Sequence, residues 1–105
     1  MSMFGFMRGP DINEGVKECR ETDGAILLDV RTAEEYNEGH IPGSINLPLQ
    51  EIQNAPDVIS NLDAPLFVYC LSGARSQQAA AFLSRTGYTN VRNIGGISSW
   101  TGITE

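Results

Sequence analysis

The run Leu66-Phe67-Val68-Tyr69 is continuously apolar, ends at Cys70, and passes through Leu71-Ser72-Gly73-Ala74-Arg75-Ser76-Gln77 into a helical pattern. A short unbroken apolar run bounded by turn residues reads as a strand buried on both faces, the kind found in parallel sheets covered by helices. The strand therefore aims a thiol at the start of a helix. The unpaired amides there, with the positive end of the helix dipole, favour an anion and lower a thiol's pKa. Arg75 adds a positive charge at the rim. Cys70 thus reads as a thiolate nucleophile in an anion cradle. The alternative is a strand-end cysteine packed as a small hydrophobe, the commoner fate of a lone Cys. The Gly, the Arg and the helix start that follow weigh against it.

Further strands and helices alternate along the chain. Ile12, Val16 and Cys19 fall on one helical face after Pro10 and a capping Asp11. Ala25-Ile26-Leu27-Leu28-Asp29-Val30 reads as a second buried strand, and Thr32-Ala33-Glu34-Glu35 as a capping box opening a short helix that stops at Gly39. Residues 40–48, with two prolines and a glycine, predict a turn and a very short strand, and residues 49–62 one or two short helical pieces. A helix over 76–86 packs Ala79, Phe82 and Leu83 on the sheet and stops at Gly87. Residues 90–94 make a further strand, after which Gly95-Gly96 turns into a last helical turn near Trp100. The class is α/β with a largely parallel sheet, whose ligands sit outside the carboxyl ends of the strands. Cys70 is at such an end.

At 105 residues the chain suits one domain, taken as 1–105, with residues 1–9 expected as a flexible N-terminal segment. That segment is apolar but has no basic stretch before it and no small-residue cleavage site after it, so it does not read as a signal peptide. Two cysteines, Cys19 and Cys70, are too few for a disulfide framework, and no zinc-ligand spacing accompanies them. No metal or cofactor is expected, and a reducing, cytoplasmic setting is the simplest. No run approaches membrane-spanning length. The net charge of −6 argues against a nucleic-acid partner. Residues 1–65 carry four Lys and Arg against twelve Asp and Glu, net −8, whereas residues 66–105 carry three against one, net +2. The half holding Cys70 is the positive one, which suits a small anionic substrate; chance placement of surface charge accounts for the same counts.

Three separated segments, in order, resemble the rhodanese-like domain family. Leu28-Asp29-Val30-Arg31-Thr32-Ala33-Glu34-Glu35-Tyr36 with Gly39-His40-Ile41-Pro42-Gly43-Ser44-Ile45-Asn46-Leu47-Pro48 is similar to its first signature. Tyr69-Cys70-Leu71-Ser72-Gly73-Ala74-Arg75-Ser76 resembles its active-site loop, and Gly95-Gly96-Ile97-Ser98-Ser99-Trp100 its closing motif. The resemblance implies a parallel five-stranded sheet flanked by helices and a sulfurtransferase. Its loop cysteine, here Cys70, takes a sulfane sulfur from a donor such as thiosulfate. The resulting persulfide yields the sulfur to cyanide, a small thiol or a thioredoxin-like or other sulfur-accepting protein, in a double-displacement cycle. Asp29 and Arg31 are then an architectural pair supporting the pocket, and His40 part of a structural turn. Tyr36 and Trp100 are core or pocket-wall aromatics, Cys19 is helix-face packing, and Glu34, Glu35 and Glu38 form a solvated face.

The residues carry that chemistry on physical grounds. Gly73 lets the backbone curl so that N–H groups of Leu71, Ser72, Gly73 and Ala74 form a nest, and Ser72 and Ser76 offer hydroxyls. Arg75, with its fork facing the pocket, would hold an anionic donor. Short loops around the pocket leave Cys70 open to a protein thiol, so a persulfide carrier is an alternative purpose. A cysteine-dependent phosphatase or arsenate reductase is the enzymatic rival. Those enzymes place five residues between Cys and Arg, and here there are four, a cradle sized for one sulfur. A non-catalytic binding module is the remaining alternative; such domains usually lack the cysteine.

Overall fold

A computed structural model describes residues 10–105, so the expectation for residues 1–9 lies outside the described residues. Helix α1 (Ile12–Arg20) starts where Asp11 accepts hydrogen bonds from the Asn13 and Glu14 amides at 3.0 and 3.5 Å. Strand β1 (Ile26–Asp29) leads to helix α2 (Ala33–Glu38), opened by the capping box of Thr32 and Glu35. Strand β2 is only Ile45–Asn46. A 3-10 turn (Leu49–Asn54) and helix α3 (Ala55–Val58) lead to strand β3 (Leu66–Cys70). Helix α4 (Ala74–Arg85), strand β4 (Val91–Gly96) and a 3-10 turn (Ile97–Ser99) complete the order.

The strands form one parallel sheet in the order β2-β1-β3-β4. Central β3 is buried along its whole length, and its alternating side chains divide the core. Leu66, Val68 and Cys70 face the α4 side with Leu28, Ala79, Leu83 and Tyr88. Phe67 and Tyr69 face α1, joining Ile12, Val16, Cys19 and Ile94. Burial of Leu66 and Val68 contributes about 1.5–3 kcal/mol each. On the α1 side the Tyr69 hydroxyl accepts from the Ile41 amide and pairs with Ser44 Oγ, both at 3.1 Å. Burial pushes its pKa up to about 12.

Two expectations are corrected. The sheet has four strands among the described residues, not five. Asp11 already caps α1 and Pro10 has no N–H to donate, so nothing in residues 10–25 extends the sheet beyond β4. Gly95 and Gly96 do not turn away from the sheet but end β4. There the register with β3 is irregular, Val68 pairing with Asn93 and Tyr69 with Gly95. Asn93 Oδ1 accepts the Gly95 amide at 3.0 Å, and Gly95 takes a φ of 107°, which absorbs the extra residue. Helix α4 also begins two residues earlier than its apolar pattern, at Ala74.

Candidate functional site

Cys70 is the last residue of β3, and Gly73, three residues on, is the N-cap of α4 with a φ of 107°. No side chain caps this helix. The place of a cap is taken by the cysteine sulfur: the Gly73 amide donates to Sγ at 3.0 Å and Ser76 Oγ lies 3.3 Å from it. Burial pushes the Cys70 thiol pKa up, but the Ser76 hydroxyl and the amides of Ser76, Gly73 and Ser72 outweigh it and hold the pKa below the ordinary thiol value. Leu71, 46% exposed, and Ser72 form the outer part of the loop. Cys70 is 1% exposed, which corrects the expectation of an open thiol: the loop backbone curls over the sulfur in order to donate to it.

Arg75 does not point its fork into the cradle. Nη1 and Nη2 lie 2.8 and 3.0 Å from the two carboxylate oxygens of Glu35 on α2. Glu35 Oε1 also accepts from Thr32 N at 3.0 Å and Thr32 Oγ1 at 3.1 Å. The Arg75 guanidinium, aided by Thr32, holds the Glu35 carboxyl down at about 2 despite partial burial. Glu35 is therefore no bystander on a solvated face.

Asn93 was not singled out by sequence. Its Oδ1 takes a hydrogen bond from Ser76 Oγ at 2.7 Å, and its Nδ2 donates to Gly73 O at 3.2 Å, bracing both sides of the cradle. The available signal was an amide side chain in the interior of a strand-forming run, between Arg92 and Ile94. Ser76 Oγ has one hydrogen and lies within 3.3 Å of three acceptors: Asn93 Oδ1, Gly73 O and Cys70 Sγ.

The remaining predicted residues lie outside hydrogen-bonding contact with Sγ. Asp29 is fully buried, and Arg31 reaches its carboxylate at 2.7 Å and Gly39 O at 2.8 Å. His40 stacks on Tyr36 with ring centroids 3.7 Å apart; its Nδ1 lies 2.9 Å from Tyr36 O and its Nε2 3.3 Å from Glu105. Trp100 packs on the α1 side of the core. Cys19 is on that side too, across the sheet from Cys70, with burial raising its pKa. A groove of about 360 Å³ flanks the loop, lined by the uncharged Ser72, Gly73, Gln77, Asn93 and Ser98 among others. Among the described residues no three His, Cys, Asp or Glu side chains cluster as a metal site, and no helix is long and apolar enough to cross a membrane.

A parallel sheet whose central strand delivers a buried cysteine to the uncapped start of a helix defines a class of cysteine-centred anion cradles. The family model for the rhodanese-like domain matches residues 13–103, and the chain belongs to that family. It is 38% identical over 101 residues to a thiosulfate sulfurtransferase, GlpE, of Pseudomonas putida, covering 93% of this chain and 87% of that protein. It is 36% identical over 99 residues to a putative sulfur carrier protein, YrkF, of Bacillus subtilis, covering 91% of this chain. The match spans only about half of that relative, 53%. The solved structure of a human single-domain sulfurtransferase, TSTD1, superposes with a TM-score of 0.74 at 29% identity, over 89% of this chain and 96% of that one.

Proposed function

We propose that the chain is a sulfurtransferase that carries sulfane sulfur as a persulfide on Cys70. The observation that supports this reading best is the setting of Sγ, which accepts from the Gly73 amide at 3.0 Å and lies 3.3 Å from Ser76 Oγ, at a helix start with no other cap. In the first step the Cys70 thiolate attacks the outer sulfur of thiosulfate, the S–S bond breaks, and sulfite leaves with the electron pair. The product, Cys70 Sγ–S⁻, keeps one negative charge for the cradle to hold. In the second step cyanide or a thiolate attacks the outer sulfur and Cys70 departs as thiolate. No general base is required, because the cradle favours the thiolate from the outset.

The four residues separating Cys70 from Arg75, and an Arg75 fork already bound to Glu35, favour a single sulfur over a tetrahedral phosphate. Delivery to a protein acceptor, thioredoxin-like or otherwise, is a second reading, favoured by the exposed Leu71 beside a buried Cys70. The outer persulfide sulfur, about 2 Å beyond Sγ, would bring the reactive atom toward that surface. Both cysteines are free thiols, which suits a reducing cytoplasm. Intact-mass spectrometry after incubation with thiosulfate tests the proposal: one added sulfur on Cys70 is expected, and none in Cys70→Ser. An unchanged mass across several sulfane donors would refute it.

A further inference from the structure

The two arginines that follow β1 and β3 at the carboxyl edge of the sheet are each held by a carboxylate. Arg31 is spent on buried Asp29, and both terminal nitrogens of Arg75 on Glu35. Glu35 is itself anchored through Thr32, so Arg75 can serve another anion only by leaving a fixed partner. What faces Sγ is uncharged, a backbone amide and a hydroxyl, and the adjoining groove adds Gln77, Asn93 and Ser98. A donor with a charged tail therefore finds a cradle for its transferable sulfur but, among the described residues, no unpaired cation beside it for the tail.

Resting on the sulfur-transfer reading above, we propose that Glu35 is a specificity-determining residue. By holding the Arg75 guanidinium it tunes the site toward donors with uncharged tails, organic persulfides R–S–S⁻, and against the doubly charged thiosulfate. With such a donor the Cys70 thiolate attacks the terminal sulfur, the S–S bond breaks, and R–S⁻ leaves; two negative charges enter and two remain. With thiosulfate three enter and three remain, two of them on the departing sulfite, where a free guanidinium would help most. Glu35→Gln keeps an oxygen to accept from Thr32 but ends the ion pair.

The test is single-turnover loading of Cys70, followed by quenched intact-mass spectrometry, with thiosulfate and with 2-hydroxyethyl persulfide. In Glu35→Gln the ratio of second-order loading rates, thiosulfate over persulfide, should rise roughly three- to fivefold, the scale of one half-exposed ion pair. A purely structural Glu35 would slow both donors and leave the ratio unmoved. An unchanged or lowered ratio in a variant with native circular dichroism overturns the proposal. Should that variant not fold, the wild type decides: propyl and 2-carboxyethyl persulfides should load within about twofold of each other, because a paired Arg75 offers the carboxylate little. A larger preference for the carboxylate overturns the proposal. Loading by no donor would refute the sulfur-transfer reading itself.

Discussion

Two helices begin at the same edge of the sheet, and they treat their first amides in opposite ways. Helix α2 closes on itself: Thr32 Oγ1 accepts from the Glu35 amide at 3.2 Å and the Glu35 carboxylate accepts from Thr32 N at 3.0 Å. Helix α4 has a glycine where α2 has a threonine, and its donors turn to Cys70. The same orphan groups serve stability in one helix and hold an anion in the other. The Arg75–Glu35 pair ties the two ends together.

The contrast is broken most strongly at Ser76. Ser76→Ala removes a hydroxyl that stabilises the thiolate, so the Cys70 pKa should rise by about one unit, the scale of a hydrogen bond to a charged group. The acid limb of the pH–rate profile then moves to higher pH, with about tenfold slower loading below it and little change on the alkaline plateau. Alkylation rate against pH reads the shift; an unmoved limb would remove Ser76 from the cradle. Thr32→Ala tests the other helix and should cost about 1 kcal/mol in denaturant unfolding while leaving the Cys70 titration in place. A shifted titration there would show that the two helix starts are not separable. The smallest effect is on stability at low pH. Glu35 titrates near 2 in the folded chain against an ordinary 4.5, so the stability it contributes is complete above 4.5 and lost as pH falls toward 2. Glu35→Gln should flatten that part of the stability curve.

What could be read from the sequence was what is local. The apolar run before Cys70, the Asp11 cap and the Thr32–Glu35 box each depend on residues within a few positions, and each forms as the pattern dictates. The fold class followed from the alternation of such segments. The second role of Glu35 did not, because its partner Arg75 is 40 positions away and a charged residue on a short helix looks the same with or without one. Asn93 was hidden for the same reason: the groups it braces, Gly73 and Ser76, come from another segment. Gly95 and Gly96 read as a turn because glycine pairs usually mark one. In the structure they serve a bulge and a close approach instead.

That close approach bears on transplantation. A Cβ on Gly96 would sit 2.1 Å from the Leu71 carbonyl oxygen, and the same oxygen accepts from the Ser98 amide at 3.1 Å. The cysteine loop and the end of β4 are thus two halves of one cast, each moulded against the other's backbone. Moving residues 70–76 alone onto a foreign strand–helix junction would leave half the mould behind. The portable unit comprises the loop together with residues 93–98.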